Sequence, residues 1–534
     1  MNFLNQVSYP ILPFFKWHRS RFVSATKMEE TFLFYYYVCV GLALVSLFIV
    51  FGRCRRPVAP GPWQLPVIGS LHHLVGKKLL HRALCDLAQR HGPVMLLRLG
   101  EVPTLVVSSR EAAGEVMKSL DTTLATRPLT SPTLRVLTSD GRDIVFAPYG
   151  EYWRQLRKIA VTELLSVRRV ISFRAIREEE VAAMVRAIAE AAADGRPVEM
   201  RARVSALTAD ITVRAVVGDR CKDRAVLLRE VDNVVELARA LNPVDLWPSS
   251  WLVGRLFGGS VRRTQGVYDT MCGVIDGIIQ EHLLERKGGE EAQDLLDVLL
   301  KIHKDDVGLD MVAVKAIIFD IFNAGMETSS TALEWAVAEL IKNPRVMAKA
   351  TAEVRRAFEA GGTVVEQGIG EQLPYLGLVI RETLRLHPPL PLLLPRECRE
   401  ACQVLGHDVP RGTQMLVNAW ALGRDERYWP DAPEEFKPER FEGEGEGGTA
   451  ARDFRGVDLE LLPFGGGRRI CPGIAFGLAN VELPLASLLL HFNWDVVSGS
   501  AEEFDMTEAF GITARRKANL LLRPVLSVPL PRQN

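Results

Sequence analysis

The spacing of hydrophobic and polar positions divides the chain into a short strand-forming part and a long helical part. In "VMLLRLGEVPTLVVSS", two β-rich runs, Val94 to Leu99 and Thr104 to Ser108, flank a turn with glycine and proline, which is typical of a hairpin. Further on, "EEEVAAMVRAIAEAAA" and "ALEWAVAELIKN" have helical periodicity, and Asn343-Pro344 ends the second of them. The pattern predicts one large, mainly α unit with small β-sheets.

An uncharged apolar run precedes this unit. From Thr31 to Gly52 no residue is charged, and at ~1.5 Å per residue a helix of this length crosses ~30 Å of hydrocarbon. A cleaved secretory signal has a shorter apolar core that ends in small residues, whereas Arg53, Arg55 and Arg56 follow here in a stop-transfer pattern. We therefore expect a transmembrane anchor at residues 31–52.

Basic residues lie on both sides of the apolar run, so the positive-inside rule alone leaves its orientation open. Translation from Met28 would leave only "MEE" before the run and the arginines behind it, which would place the large unit in the cytosol. We interpret residues 1–30 as an N-terminal extension with Met28 as an alternative start. An organelle transit segment is the other interpretation, because no acidic residue precedes Glu29.

A proline-rich segment joins the apolar run to the large unit. Residues 53–70 contain "RRPVAPGPWQLPVIGS", and its prolines stiffen the chain and disfavour a helix. We expect a rigid hinge here, which leaves residues 71–534 as the main domain.

The composition argues against nucleic-acid binding and indicates that the large unit faces the cytosol. The 65 basic and 65 acidic side chains balance, so no excess of positive charge indicates nucleic-acid binding. Eight scattered cysteines without a C-x-x-C pair are too few for a disulfide framework and favour a reduced, cytosol-facing domain. Cys398 and Cys402 are spaced like neighbours on a helix, but the preceding "LPLLLPRE" is typical of an extended segment, so we expect neither a metal site nor a disulfide there. "EGEGEGG", from Glu442 to Gly448, is expected to be a solvated loop.

The segment "PFGGGRRICPG", Pro463 to Gly473, carries the clearest chemical signal. Three consecutive glycines destabilise helices and strands, so we expect a turn that lets backbone approach a flat ligand closely. The helical pattern that follows predicts Pro472 at the first helical position and Cys471 at the helix N-terminus, where N–H groups and the helix dipole favour a thiolate. These features favour a metal-bound thiolate, with a buried structural cysteine as the alternative.

Phe464, Gly467, Arg469, Cys471 and Gly473 match every defined position of F-x-x-G-x-R-x-C-x-G. Through this motif the chain resembles the cytochromes P450. The resemblance implies the cytochrome P450 fold and a haem b cofactor with Cys471 as the axial iron ligand. It also implies that Arg469 contacts a haem propionate.

Further motifs follow in the family's order. "ETLR" supplies Glu382 and Arg385, and "PERF" supplies Arg440. By itself Glu-x-x-Arg is an ordinary helix pair that contributes a few tenths of a kcal/mol, ~0.2–0.5 kcal/mol. The resemblance implies that the three side chains form a buried ion network that braces the haem-binding core.

Two further basic motifs point to the propionates. "WRQLRK" places Trp153 and Arg157 four residues apart, so an indole N–H and a guanidinium project from one helical face toward the same carboxylate. If the family resemblance is set aside, the alternative interpretation of this motif is a solvent-exposed basic helix. In the family such a pair binds a propionate, and Arg396 in "LPRE" resembles a further propionate contact.

The segment "FNAGMETSS" contains residues that are unfavourable or polar inside a long apolar helical pattern, which runs from about Met311 to Ile341. Gly325 costs a helix ~1 kcal/mol relative to alanine, and Glu327 and Thr328 place an acid and a hydroxyl in an apolar stretch. The stretch matches the family pattern A/G-G-x-D/E-T-T/S, which implies a helix that opens over the haem. Thr328 would hydrogen-bond dioxygen, and Glu327 would relay protons from solvent.

The resemblance is closest to the plant microsomal A-type enzymes that oxidise terpenoids and other specialised metabolites, through "APGPWQLPVIGS", "ETLRLHPP" and "LPFGGGRRICPG". It implies a haem-thiolate monooxygenase that receives NADPH electrons from NADPH–cytochrome P450 reductase, and it allows cytochrome b5 as a further partner. It also implies a single-pass protein of the endoplasmic reticulum membrane with a cytosolic catalytic domain.

By position in the family, the substrate would contact apolar segments represented by Phe146, Ile321, Ala324, Leu392 and Phe510. An apolar pocket suits a hydrocarbon skeleton, so we expect a sesquiterpenoid or diterpenoid substrate. An indole or a fatty acyl chain would also fit such a pocket.

Two other functions are compatible with the haem motif. A P450-like isomerase or dehydratase of hydroperoxides needs neither dioxygen nor a reductase, but such enzymes typically lack the acid–threonine pair. A non-catalytic haem sensor or membrane scaffold needs no proton relay. Glu327 and Thr328 therefore favour the monooxygenase.

One position departs from a regular element. Pro484 lies in the helical pattern after Cys471, where proline costs ~3 kcal/mol or kinks the helix. We expect that helix to be bent or shortened.

Overall fold

The computed structural model describes residues 36–38, 40–41, 59–76, 79–219, 222–238, 242–285, 294–305, 309–358, 362–443, 452–497, 504–509 and 511–531. The chain separates into two compact units, Met1–Val58 and Ala59–Asn534. In the first unit residues 36–38, 40 and 41 are helical. The rest of the expected anchor, the extension at 1–30 and residues 53–58 lie outside the described residues.

In its described residues the second unit is mainly helical, with three small sheets. Its α-helices are α1 (Leu80–His91), α2 (Arg110–Gly114), α3 (Asp121–Leu124), α4 (Pro132–Leu137), α5 (Glu151–Ile159), α6 (Val167–Ser172), α7 (Arg174–Ala193), α8 (Met200–Val217), α9 (Arg224–Leu237), α10 (Pro243–Leu246), α11 (Trp251–Phe257), α12 (Gly259–Glu285), α13 (Leu295–Lys304), α14 (Met311–Lys342), α15 (Pro344–Phe358), α16 (Ile369–Gln372), α17 (Pro374–Leu386), α18 (Ala419–Leu422) and α19 (Ile474–His491). Short 3-10 turns cover Leu71–His73, Pro438–Phe441 and Gly467–Arg469, and π-helical turns cover Glu115–Ser119 and Ala160–Leu164.

The strands are β1 (Val94–Leu99), β2 (Val102–Val107), β3 (Val198–Glu199), β4 (Arg396–Glu397), β5 (Cys402–Val404), β6 (His407–Val409), β7 (Gln414–Val417), β8 (Phe492–Val496) and β9 (Leu521–Leu526). They form sheets of order β1-β2-β7-β4, β3-β9-β8 and β5-β6. The hairpin β1–β2 pairs Val94 with Val107, so the predicted hairpin is confirmed. The parallel pairing of β2 with β7 joins it to the C-terminal half of the chain.

The long helix α14 lies at the centre of the main hydrophobic core. Asp310 caps its N-terminus by accepting a hydrogen bond from the Ala313 N–H, and it ends at Lys342, immediately before Asn343-Pro344 as predicted. It packs against α8 and α19. Nearly all of its C-terminal half is buried, including the acidic residues Glu334 and Glu339.

Gly325 allows α8 to approach α14 closely. A Cβ at Gly325 would lie 3.2 Å from both Cγ2 and Oγ1 of Thr212 on α8. Beside this point, Thr208 Oγ1 donates a hydrogen bond of 3.0 Å to the Met326 carbonyl. The helix α14 is continuous across this glycine from Met311 to Lys342, and its local opening over a bound haem stays a prediction. In the structure the glycine makes room for the neighbouring helix.

The helix after the glycine turn is not shortened by its proline. Pro484 lies inside α19, which continues to His491. Leu483, Leu485 and Leu488 are buried around it, and this packing offsets the lost backbone hydrogen bond. Among the described residues α19 is also the helix long and apolar enough to cross a membrane, but most of it is buried inside the domain, as in a core helix.

The described part of the proline-rich hinge, residues 59–70, is not a free spacer. The Leu96 N–H in β1 donates to the Pro60 carbonyl at 2.8 Å, and Gly69 forms a bridge with Leu99. A side chain at Gly61 would overlap the Leu96 carbonyl oxygen. As predicted, these twelve described residues form no α-helix, but they pack onto the edge of the first sheet.

Candidate active site

A cavity of about 260 Å³ lies between α14 and the glycine turn. Ile321, Ala324 and Thr328 line it from α14, and Cys471 lines it from the turn. Most of its wall is apolar, with Leu390, Leu393 and Leu394 among the lining residues. The structure therefore places the predicted thiol and the predicted hydroxyl at one cavity.

The glycine turn is held by close contact with the segment before α3. Gly467 has φ +65°, and a Cβ there would overlap the Met117 carbonyl oxygen and lie 2.7 Å from Asp121 Oδ2. The same carboxylate accepts a hydrogen bond of 2.7 Å from the Arg468 N–H. Only glycine combines this conformation with this approach.

Cys471 lies just before a helix and not in its first turn. The helix begins at Ile474 with Gly473 as its N-cap, so the prediction of Pro472 at the first helical position was wrong by two residues. The reason is local: Gly473 N–H donates to Cys471 Sγ at 3.3 Å, and Cys471 N–H donates to the Phe464 carbonyl at 3.0 Å. These bonds continue the turn past the proline.

Cys471 is half-buried, and desolvation of its thiol raises the pKa above the ordinary value. The Gly473 N–H and the guanidinium of Arg157 act in the opposite direction. Desolvation thus exceeds the favourable effect of the nearby helix terminus that the sequence predicted. A metal cation at Sγ would reverse the balance, since a coordinating thiol is deprotonated.

Arginines surround the cavity. The three predicted ones, Arg157, Arg396 and Arg469, all line it. Arg469 donates to the Ala125 carbonyl at 2.7 Å and lies 4.2 Å from the ring centroid of Trp153, which also lines the cavity. Burial, with Arg396 beside it, lowers the pKa of Arg469 to about 9.

A fourth arginine, Arg127, was missed by the sequence analysis. It lines the cavity and donates hydrogen bonds to the carbonyl oxygens of Val145, Leu394 and Pro395 at 3.1, 2.8 and 2.7 Å. Burial and the charges of Arg469 and Arg396 lower its pKa. No periodicity or motif spacing marks this residue, because its neighbours in the site come from distant parts of the chain.

These arginines fit the two carboxylates of a haem. Arg396 pairs with Asp121 at 2.8 Å. Arg157 and the indole N–H of Trp153 have no hydrogen-bond partner in the part of the chain that the structure describes. Arginines thus outnumber carboxylates among the residues that line the cavity, Cys471 lines it as well, and this donor set suits a dianionic porphyrin with a thiolate-bound iron.

Glu327 and Thr328 are not brought together. The Thr328 hydroxyl lines the cavity and donates to the Ala324 carbonyl at 2.7 Å. Glu327 is buried on another side of α14, where Arg201 binds it at 2.9 Å and Arg515 binds it through two nitrogens. Burial raises the pKa of Glu327, but the two guanidinium groups outweigh it and the net shift is downward.

Glu382, Arg385 and Arg440 form a network in the core. Glu382 Oε2 and Arg385 Nε are 2.7 Å apart, and Glu382 Oε1 and Arg440 Nε are 2.9 Å apart. Arg385 also donates to the carbonyl oxygens of Gly423 and Pro433. The three side chains thus link α17 to the segments that lead to the glycine turn.

The residues expected to face the substrate divide into two groups. Ile321 and Ala324 line the cavity. Phe146 does not, because it packs near Arg127 while Ile144 and Val145 of the same loop line the wall. Leu392 packs against the core between α1 and β1, so its assignment to the pocket was wrong. Phe510 lies outside the described residues.

Cys398 and Cys402 are free thiols whose sulfur atoms are 3.7 Å apart. Cys398 lies beside β4 and Cys402 in β5, so the two are not neighbours on a helix. Burial, together with Cys402, raises the pKa of Cys398 to about 12. A thiol with so high a pKa is a poor nucleophile at neutral pH.

Comparison with known proteins places the chain in a family. Residues 59–522 match the family described as Cytochrome P450. The chain is similar to dolabradiene monooxygenase of Zea mays, with 46% identity over 91% of this chain and 98% of the relative. It is also similar to zealexin A1 synthase of Zea mays (45%, 91% and 98%) and to germacrene A hydroxylase of Tanacetum parthenium (44%, 90% and 97%). The chain belongs to the cytochrome P450 family and is a monooxygenase.

Proposed function

We propose that this monooxygenase oxidises a sesquiterpenoid or diterpenoid, with Cys471 as the axial ligand of its haem. The observation that carries the proposal is one largely apolar cavity that is lined by both Cys471 and Thr328. As in the family, the cofactor is haem with a cysteine thiolate, and its electrons come from NADPH through a reductase. When bound, the haem supplies the activation of dioxygen by two electrons.

The chain's own residues would hold the cofactor by charge and shape. Arg157, Arg396 and Arg469, together with Trp153, would bind the propionates, and Arg127 would add a fourth cation. Gly467 and Gly473 would keep the turn close to the cofactor, and Phe464, whose carbonyl accepts from the Cys471 N–H, would contact it. Glu382, Arg385 and Arg440 would fix α17 to the segments that lead to the glycine turn. Removing such a network's carboxylate would leave two buried guanidinium groups without their anion.

The α14 residues would control protons and water. Thr328 would hold a proton at its hydroxyl oxygen in the cavity. Glu327 would act from outside the cavity, because its partners Arg201, Thr513 and Arg515 line a second, polar cavity of about 330 Å³. We assign Glu327 to proton supply from that side, through solvent in the polar cavity.

The substrate class follows from the apolar wall and from the relatives. Ile321, Ala324 and the leucines at 390, 393 and 394 offer almost no polar group to a substrate, which favours a hydrocarbon skeleton. Relatives with 44–46% identity are named for dolabradiene and germacrene A, which are terpenoid hydrocarbons. For the same pocket, the alternative substrates are an indole or a fatty acyl chain. The alternative to an enzyme is a haem-binding protein without catalytic activity.

The partners and location belong to the same proposal. We assign NADPH–cytochrome P450 reductase as the electron donor, with cytochrome b5 as a possible second donor. We assign residues 1–30 to an extension, 31–52 to a single anchor in the endoplasmic reticulum membrane, 53–70 to the hinge, and 71–534 to a cytosolic catalytic domain.

The test begins with the carbon monoxide difference spectrum of dithionite-reduced microsomes. The wild-type protein, expressed from Met28, is expected to give the long-wavelength Soret band of thiolate ligation, and Cys471→Ser is expected to lose it. The free thiol Cys272→Ser is the matched control and is expected to keep it. Terpenoid hydrocarbons are then supplied with NADPH and reductase. Absence of the band from folded protein would contradict the ligand assignment, and product from fatty acids or indole alone would contradict the substrate class.

A further inference from the structure

A small hairpin near the C-terminus, residues 505–509 and 511–517, packs beside one wall of the cavity, and we call it the C-terminal hairpin. Glu508 and Arg516 form an antiparallel β-bridge across it. The Ala514 N–H donates to the Pro389 carbonyl at 3.0 Å, and Pro389 lines the cavity. The position of the hairpin therefore bears on the position of this part of the cavity wall.

One carboxylate joins the C-terminal hairpin to α1. Glu508 Oε2 lies 3.0 Å from His81 Nε2 and accepts a hydrogen bond of 3.0 Å from Arg82 Nε, although these two residues stand 427 and 426 positions earlier in the chain. Burial raises the pKa of Glu508, but the His81 and Arg82 contacts outweigh burial and lower the pKa to about 2. Glu508 is therefore ionised at neutral pH, and its contacts with α1 are charge-assisted.

Both partners of Glu508 pack against the indole ring of Trp420 in α18. The ring centroids of His81 and Trp420 are 5.2 Å apart, and the guanidinium carbon of Arg82 lies 4.8 Å from the Trp420 centroid. The guanidinium carbon of Arg424 lies 4.2 Å from the same centroid. The Glu508 carboxylate and the Arg424 guanidinium are thus brought to one indole.

Three buried polar atoms at this indole have no hydrogen-bond partner among the described residues: Glu508 Oε1, Trp420 Nε1 and Arg424 Nη1. The side chains of Glu508 and Arg424 are 1% and 7% exposed, and Trp420 is 6% exposed. Two N–H donors and one carboxylate oxygen complement a water molecule, which accepts two hydrogen bonds and donates a third, the usual number for a buried water. The Glu508 carboxylate would repel an anion, so this set of groups selects water.

We propose that Glu508 is a positioning residue that holds the C-terminal hairpin on α1 and, through one ordered water bound by Trp420 and Arg424, on α18. Because the Ala514 N–H of the hairpin binds the Pro389 carbonyl, Glu508 also fixes the adjoining part of the cavity wall. The effect on substrates rests on the proposed function of the cavity, whereas the attachment of the hairpin and the water do not.

Backbone hydrogen exchange of the full-chain holoenzyme without substrate tests the attachment. The reporters are the Ala514 N–H and the Ala509 N–H, which donates to the Arg515 carbonyl at 2.8 Å. After correction for intrinsic rates, exchange is expected to be at least about tenfold faster in Glu508→Ala, which loses both charge-assisted contacts. In Glu508→Gln, which keeps an acceptor without the charge, it should be about threefold faster. Lys517→Ala changes an exposed residue of the same hairpin and should match the wild type.

A crystal structure of the holoenzyme that shows ordered solvent tests the water. We expect one water within about 3.2 Å of Glu508 Oε1, Trp420 Nε1 and Arg424 Nη1. Trp420→Phe keeps an aromatic ring but removes one donor, so exchange at Ala509 should rise by about threefold, less than in Glu508→Ala. A site without water, or one in which the three side chains bond to each other directly, would overturn this part of the proposal.

The exchange rates decide the positioning role. Wild-type exchange in Glu508→Ala would overturn it. If that variant does not fold, Glu508→Gln decides, because wild-type exchange there would also overturn it. For the substrate consequence, Glu508→Gln is expected to raise KM for a terpenoid hydrocarbon more than it lowers kcat, and Lys517→Ala to change neither. Unchanged KM with faster exchange would reject that consequence alone, whereas a wild type that turns over no terpenoid would contradict the proposed function and leave the exchange result standing.

Discussion

Glu327 and Thr328 are consecutive in the sequence, yet the Thr328 hydroxyl faces the haem cavity while the Glu327 carboxylate is bound by Arg201 and Arg515 outside it. The helix geometry alone produces this separation, since consecutive residues point about 100° apart. The two residues therefore cannot act as one hydrogen-bonded pair in this conformation. Their substitution should produce different defects.

Thr328→Ala is expected to bind haem normally but to lose coupling, because the cavity loses its hydroxyl without losing any cofactor contact. NADPH consumption should continue while peroxide rises at the expense of product. The ratio of product to NADPH measures the effect. Thr328→Ser keeps the hydroxyl and should stay close to wild type. Fully coupled turnover by Thr328→Ala would contradict the role assigned to Thr328.

Glu327→Gln is expected to destabilise the domain by about 3 kcal/mol at neutral pH, because two guanidinium groups lose a buried partner. The folded-state pKa of Glu327 lies below its ordinary value of 4.5, so its contribution is present above that value and is lost as pH falls. The difference from wild type should therefore shrink below about pH 4.5. Denaturation across pH measures it.

The matched control for Glu327→Gln is Asp194→Asn. This substitution breaks an exposed pair with Arg196, and such pairs contribute about 0–1 kcal/mol. If both variants lost the same free energy of unfolding, burial of the Glu327 ion pair would not increase its contribution to stability, which would contradict the prediction.

Arg157→Ala is expected to weaken haem retention, because its guanidinium has no other partner in the described part of the chain and faces the cavity. Loss of one charge-assisted contact of about 1.5–3 kcal/mol corresponds to haem release at least about tenfold faster. Transfer of haem to an excess of apomyoglobin measures the rate. Arg154→Ala, an exposed arginine on the same helix, should release haem at the wild-type rate.

Gly325→Ala is expected to destabilise the domain by about 1–2 kcal/mol even though alanine favours helices, since its Cβ would press on Thr212. Thr212 is buried and donates to the Thr208 carbonyl at 2.6 Å, so it has little freedom to move. Adding Thr212→Ala should recover most of the loss. Gly273→Ala, on α12 with open space around it, should be neutral or stabilising. Chemical denaturation of the four proteins makes the comparison.

Local sequence predicted the elements whose signals lie within a few residues. The β1–β2 hairpin, the stop of α14 at Asn343-Pro344 and the turn before Cys471 all follow from proline, glycine and periodicity. The helix start at Ile474 was missed because Gly473 bonds back to the Cys471 sulfur, and propensity does not report such a contact.

Long-range contacts explain the remaining differences. Ile144 and Asp320 are 176 positions apart, and Arg127 and Leu394 are 267 apart, so no local pattern links them. Phe146 and Leu392 were assigned to the cavity by position, but a shift of one or two residues within a loop turns a side chain from the cavity wall into the core. In these loops the sequence predicted that apolar residues line the cavity, but it could not predict which side chains point into it.

The contact of Gly467 with Met117 and Asp121 also limits how this protein can be recombined. The turn and the segment that leads into α3 fit together without a side chain between them, and Asp121 is shared by Arg396 and Arg468. A chimera that takes residues 463–473 from a relative should therefore inherit residues 115–121 from the same parent. Exchanged separately, the two segments would meet as mismatched surfaces at the place where the domain tolerates the least displacement.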